Sequence, residues 1–353
     1  MKKLLSVIIP SYNMEAFLPR CLDSLVVATE QMAWLDVMIV NDGSNDSTSA
    51  IAHTYEEKYP NSFRVIDKQN GHYGSCINAA LKVAKGKYIR VLDADDYFDN
   101  KEFSRYLDAL NGIDAEVVVT DFNQVDSLGN VFYKAVNMNL VHGQVVTIEN
   151  NSVGLLMMHG LTYKTDLLRR INYKQTEGIL YTDSEWSFIP LLNAKTICYF
   201  HFKVYQYMLG REGQSMSKEL EQKKMSHRVT VLRNMFHAYL HNQGSPMKNN
   251  ARMTLRNYII SIFMIVFVRE RVDEQNLQLI KGFDEELKTS CPDLYNDVGE
   301  YYINVFGWKY RVIDRWRKNK LMNVTLLHQL IRLDNAYLAI RYKVKTLLRQ
   351  RKS

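Results

Sequence analysis

Four short apolar runs in the first 93 residues each stop at a polar cluster, and that alternation restricts the fold more than any other feature of the chain. "LLSVIIP" (4–10) leads into "SYN", and "LDVMIV" (35–40) into "NDGSNDST". "FRVID" (63–67) leads into the loop "KQNGHYGS", and "GKYIRVLD" (86–93) into "ADD". Between them, Phe17, Leu18, Cys21, Leu22, Leu25 and Val26 repeat at helical spacing, as do Ile77, Ala80, Leu81 and Ala84. Continuous apolar strands are buried on both faces, and strand–helix–strand order joins parallel neighbours. A fifth strand is predicted over "AEVVVTDF" (115–122). The expected fold class is α/β, with a doubly wound, mostly parallel sheet. Pro10 is expected to end the first strand. The opening "MKKLLSVIIPSYN" mimics a signal peptide, but its apolar run is short and no small-residue cleavage site follows, so it reads as that strand.

In doubly wound sheets ligands bind beyond the carboxyl ends of the strands. "PSYN", "NDGSNDST" and "DADD" therefore converge on one crevice. Asp93, Asp95, Asp96 and Asp99 repel one another unless a cation or donor compensates them. In a turn Asp93 and Asp95 can converge on a hard divalent ion, which takes oxygen ligands. The same residues can also simply open a helix whose N-terminus favours acids. Asp42 can accept a hydrogen bond from a nucleobase imide or a ribose hydroxyl, with Gly43 allowing close approach; a plain turn with Asp46 or Ser47 as helix cap is the other reading. "QNGHYGSCIN" (69–78) can present backbone N–H groups to phosphate, or serve only as a turn.

"SVIIPSYNMEAFLPRCLDSL", "VNDGSNDST" and "AKGKYIRVLDADD", in this order and spacing, resemble the inverting glycosyltransferase family 2, whose members have the GT-A fold. The likeness is specific over residues 4–99, weaker as far as 215, and absent beyond. It implies a GT-A catalytic domain over 1–215; from about Gln214 the pattern itself changes to long helical stretches with many charges, which predicts a helical, C-terminally basic region over 216–353. It also implies a UDP-sugar donor and a saccharide or lipid-linked saccharide acceptor, in polysaccharide or glycolipid assembly. By this resemblance Tyr12 and Asp42 hold the base and Asp93 meets the ribose or donor sugar. Asp95 binds the Mg²⁺ or Mn²⁺ that bridges the diphosphate, with Asp93 and Asp96 as further ligands. Pro10, Asn13, Gly74 and Asn78 belong to the nucleotide-binding segments. One departure stands out: many members carry Arg–Asn before the helix after the glycine loop, and here the pair is Ile77–Asn78. Whatever that Arg contacts must be contacted differently, and the loop "NGHYGS" is longer than usual.

An inverting transfer needs a base for the acceptor hydroxyl. "GILYTDSEWSFIP" supplies Asp183, with Glu185 in reserve; helix capping by Thr182 or Asp183 is the structural alternative. "VYQYMLGREGQSMS" resembles a loop that closes over the donor, where Arg211 would meet phosphate oxygens with Gln214 or Ser215 assisting. His159 precedes a short strand and either lines the acceptor pocket or sits in the core or at the surface. A non-catalytic nucleotide-sugar-binding or scaffold protein of the same fold is the alternative function. A processive synthase is not expected, because its Q-x-x-R-W motif is absent; "DRWRK" does not match.

The four cysteines are widely spaced and form no C-x-x-C pair, which favours a reducing compartment such as the cytoplasm. The net charge of +7 is concentrated at one end: from Glu300 onward there are 13 Lys/Arg against 3 Asp/Glu, leaving 32 against 35 before it. That tail fits either a peripheral helix on an anionic membrane surface or a solvated helix packed on the catalytic domain. No nucleic-acid-binding motif accompanies the charge. The run "YIISIFMIVFV" (258–268) is too short to span a bilayer and is read as a buried helix.

Overall fold

The computed structural model describes residues 2–135, 140–148, 156–209, 225–269 and 274–320, together with 323, 326, 327 and 329–334. Two compact units emerge, Met1–Leu220 with Asn234–Ala251, and Glu221–Arg233 with Arg252–Ser353.

The first unit is built on a ten-stranded sheet. Its strands are β1 (Leu5–Ser11), β2 (Leu35–Asn41), β3 (Phe63–Asp67), β4 (Tyr88–Val91), β5 (Tyr97–Phe98), β6 (Val117–Val125), β7 (Val131–Ala135), β8 (Val145–Thr147), β9 (Leu161–Lys164) and β10 (Thr196–Met208). The spatial order is β3-β2-β1-β4-β9-β6-β10-β5, with β7 on β6 and β8 on β10. Strands β1 to β4 are parallel, β9 runs against both β4 and β6, and β10 is parallel to β6. The expected mostly parallel α/β sheet is therefore present.

Pro10 does not end β1, contrary to expectation. The strand continues to Ser11, and Pro10 sits opposite Val40. Pairing with β4 stops at Ile8–Val91, so Pro10 lies where β1 has lost that neighbour and its missing N–H is tolerated.

Side-chain alternation divides the core between the two faces of the sheet. Leu5, Val7, Ile9, Val37 and Ile39 pack with the helices Leu18–Asp23 and Asn100–Asn111. Ile8, Met38, Val40, Ile89 and Val91 pack with the helices His72–Leu81, Thr165–Arg170 and Asp183–Leu192. Each such side chain, taken from water to full burial, contributes about 1.5–3 kcal/mol. That two-sided burial makes the strand ends a rigid rim.

The second unit is largely helical. The apolar run 258–268, read as a buried helix, is the end of the helix Lys248–Met264 and part of the π turn Ile265–Arg269, with Ile259, Ile262, Phe263 and Phe267 buried. No helix among the described residues is long and apolar enough to cross a membrane. Part of the basic stretch 309–320 is engaged inside this unit. Arg317 forks onto Asp284 (2.6 Å) and lies over the Tyr295 ring, Arg311 pairs with Glu300, and Lys318 pairs with Asp314. Burial raises the Asp284 carboxyl above its usual range, and Arg317 opposes that shift. The more basic stretch beyond Asp334 lies outside the described residues.

Candidate active site

Loops from β1 and β2 knit together to form one wall. Asn13 adopts a left-handed backbone (φ 54°) and accepts from Asn45 N (2.9 Å), while its own N–H donates to Ser44 Oγ (3.0 Å). Met14 N donates to Thr48 Oγ1 (2.7 Å), and Glu15 exchanges bonds with Asp46 and Ser47. These ties leave Tyr12 standing 44% exposed at the rim. Asp42, just past β2, is buried; its Oδ1 accepts from Lys68 Nζ (2.6 Å) and Gly71 N (3.0 Å). Lys68 also reaches Ser75 Oγ (2.8 Å), which ties the glycine loop to Asp42.

Two residues expected at the nucleotide have work elsewhere in the fold. A Cβ on Gly74 would fall 1.9 Å from the Thr176 carbonyl oxygen, so this glycine admits a neighbouring strap of backbone. Asn78 is buried and spends its amide on that strap: Nδ2 donates to Gln175 O and Glu177 Oε1 (both 2.8 Å), and Oδ1 accepts from Gln175 N (2.9 Å). Ile77 is core.

The acidic turn follows β4. Asp99 caps the helix Asn100–Asn111 by accepting from Glu102 N (2.9 Å), so this last acid is spent on helix initiation. Asp93 and Asp95 are half-buried. Tyr73 donates to Asp93 Oδ1 (2.8 Å). Asp96 is sealed inside, with Oδ2 accepting from Tyr205 OH (2.6 Å) and Oδ1 from Met208 N (2.7 Å). It thus binds the end of β10 to the turn. Burial first, then the charges of Asp95 and Asp93, push its carboxyl well above the usual range. Asp93, Asp96 and His159 each bring one potential ligand atom within 4.8 Å of the others. Two carboxylates and an imidazole suit a divalent cation.

Asp183 and Glu185 open the helix Asp183–Leu192 but point to different surroundings. Asp183 is exposed, and its charge, after burial and Asp93, raises the Tyr73 hydroxyl pKa. It also acts on Tyr207, behind burial and the three acids of the turn. Asp183 and Asp93 thus both act electrostatically on the same two tyrosines. Glu185 is 1% exposed and accepts from Thr176 N (2.9 Å), Thr176 Oγ1 (2.7 Å) and Asn234 Nδ2 (2.8 Å). Such a carboxylate is a strut, and the expectation that it stands in reserve as base has no geometric support. Arg211, Gln214 and Ser215 lie outside the described residues. Sequence reasoning missed Lys68, Tyr73, Tyr205 and Tyr207. A tyrosine between the two loop glycines was the available signal for Tyr73; nothing local marked the others.

Residues 6–172 match the family model for glycosyl transferase family 2. The chain carries a glycosyltransferase family 2 domain. An uncharacterized glycosyltransferase of Mycoplasma pneumoniae is 44% identical over 106 residues, 30% of this chain and 35% of that protein. The poly(ribitol-phosphate) beta-N-acetylglucosaminyltransferase TarS of Staphylococcus aureus is 29% identical over 216 residues, 60% of this chain and 36% of that protein. The matched segment thus spans about a third of such relatives' length. The crystal structure of S. aureus TarS 1–349 in complex with UDP-GlcNAc superposes with a TM-score of 0.56 at 18% identity, over 91% of this chain and 93% of that one. This likeness shows the GT-A fold for the family 2 domain found here.

Proposed function

We propose that this family 2 chain transfers a sugar from a UDP-sugar to a hydroxyl group of a saccharide or polyol acceptor, with inversion, in the assembly of a cell-surface polymer. The observation that carries the reading is the acidic turn at the end of β4, where Asp93 is half-buried and accepts from Tyr73, together with an exposed Asp183 at the start of its helix. The UDP-GlcNAc held by TarS favours a uridine donor.

The base binds between Tyr12 and Asp42, whose carboxylate exchanges its bond to Lys68 for one to the imide N–H. Asp93 orients the ribose or donor sugar. Asp95, with Asp93 and Asp96 beside it, would hold Mg²⁺ or Mn²⁺; that ion, when bound, stabilises charge on the departing diphosphate as a Lewis acid. Asp183 is open to an incoming acceptor and takes its hydroxyl proton as the oxygen attacks the anomeric carbon from the face opposite the leaving group. The bond to the acceptor oxygen forms as the bond to the diphosphate oxygen breaks, so no covalent enzyme intermediate is required. Basic residues beyond Asp334 favour an anionic membrane surface near the acceptor.

Incubation with UDP-sugars, Mn²⁺ and candidate acceptors, with UDP release and anomeric configuration followed by NMR, tests the proposal. Product of retained configuration, or binding of UDP-sugars with no turnover on any acceptor, would reject it.

A further inference from the structure

We infer that His159 supplies a nitrogen ligand to the acidic turn, so that Asp93, Asp96 and His159 form an inner site for one divalent transition-metal ion, with Mn²⁺ preferred over Mg²⁺. The inference rests on reading this turn as a cation site and narrows which atoms hold the ion.

The ligand atoms of the three residues lie within 4.8 Å of one another. His159 is 6% exposed, and its Nδ1 has no hydrogen-bond partner among the described residues. A buried polar atom left in that state carries its full desolvation cost, and a ligand that engages it removes that cost. The ring is not loose. Tyr207 stacks on it at 4.1 Å between centroids, Tyr205 meets it edge-on at 4.9 Å, and Phe122 lies 5.2 Å away. Its backbone is pinned as well, because Arg90 Nη2 donates to the His159 carbonyl (2.6 Å).

Arg90 is fully buried, lies near the Phe98 and Tyr106 rings, and spends Nη2 on Thr120 and His159. Asp96 keeps acceptor capacity, since Tyr205 and Met208 occupy one lone pair on each of its oxygens. Tyr73 likewise takes one position on Asp93 Oδ1. Mg²⁺ favours carboxylates and water, whereas an imidazole shifts preference toward transition ions.

Pulsed electron paramagnetic resonance of the full chain loaded with Mn²⁺ and UDP tests this directly. Echo modulation from a bound ¹⁴N is expected, replaced by the ¹⁵N pattern when the protein carries ¹⁵N-histidine, and lost in His159→Gln. Titration calorimetry should show Mn²⁺ affinity falling at least about tenfold in His159→Gln, with Mg²⁺ affinity changed far less. Mn²⁺ that binds with UDP but shows no nitrogen coupling overturns the role of His159 and leaves the Asp95 reading standing. Absence of Mn²⁺ binding altogether removes both. Coupling that persists in folded His159→Gln assigns the nitrogen to another residue and overturns the inference. If that variant fails to fold, the isotope exchange in the unmodified protein decides.

Discussion

Asp183→Asn and Glu185→Gln should fail in different currencies, although the residues are two positions apart. Asp183 is exposed and opens the helix Asp183–Leu192. Its amide should keep the fold and leave UDP affinity within about twofold, while kcat falls by about 10²–10⁴, the usual contribution of a positioned base. Glu185 accepts three hydrogen bonds in a buried pocket. A glutamine there must place its NH₂ against Thr176 N–H or against the Thr176 hydroxyl and the Asn234 amide. The second arrangement is cheaper, because the hydroxyl can rotate and Asn234 can flip. It still forfeits charge assistance, a loss of about 1.5–3 kcal/mol. At 2–4 °C per kcal/mol for a unit of this size, the melting temperature should drop by about 3–12 °C. Differential scanning calorimetry and initial rates on the same preparations, well below the melting transition, separate the two effects. A Glu185→Gln protein with unchanged melting temperature and a kcat as low as that of Asp183→Asn would refute the division of roles.

Asp95→Asn should abolish transfer and weaken UDP binding only when Mn²⁺ is present; calorimetry with and without the ion reads the difference. Gly74→Ala should destabilise the first unit by about 1–3 kcal/mol, because its new methyl meets the Thr176 carbonyl oxygen at 1.9 Å; an unshifted urea midpoint would contradict this. Arg317→Ala should cost about 3–5 kcal/mol by leaving Asp284 buried without its partner, read as a melting shift. Asp67 and Glu56 raise the pKa of His53 above its ordinary 6.5. The charged imidazole therefore stabilises the fold fully below that value, and the benefit fades as pH rises through the higher folded-state pKa. Urea midpoints compared with His53→Gln across pH 5.5–8.5 should converge at the alkaline end; a constant gap would remove the linkage.

Much of the sheet was legible because its strands are buried on both faces, so β1, β2 and β4 announce themselves as unbroken apolar runs. The rim was legible for the same reason, since polar residues cannot continue such strands. Less visible were long-range pairings. Asn78 sits where the family's phosphate-binding segment suggests a ligand contact, yet its partners lie at 175 and 177. Gly74 reads locally as a loop glycine, and only the strap crossing above it explains the missing side chain. Pro10 looked like a strand end because a sequence does not show that β1 outlasts β4 on one side.

The pair Asp183 and Glu185 shows why spacing alone could not tell the open acid from the buried one. Residues two apart on a helix point roughly 200° from each other, so one of them must face inward once the helix packs. Trp186, Leu191 and Phe188 bury the inner face, and Glu185 goes with them, where Thr176 and Asn234 neutralise its cost. Asp183 is left exposed, and its charge, like that of Asp93, raises the Tyr73 hydroxyl pKa. The same division recurs at the acidic turn. There Asp96 turns inward to hold Tyr205 and Met208, while Asp93 stays half-open beside Tyr73. In each pair the inward acid fixes the backbone from which the outward acid works. Exchanging the pair's members would therefore disturb position and chemistry together, which is why single substitutions of the outward acids are the cleaner probes of chemistry.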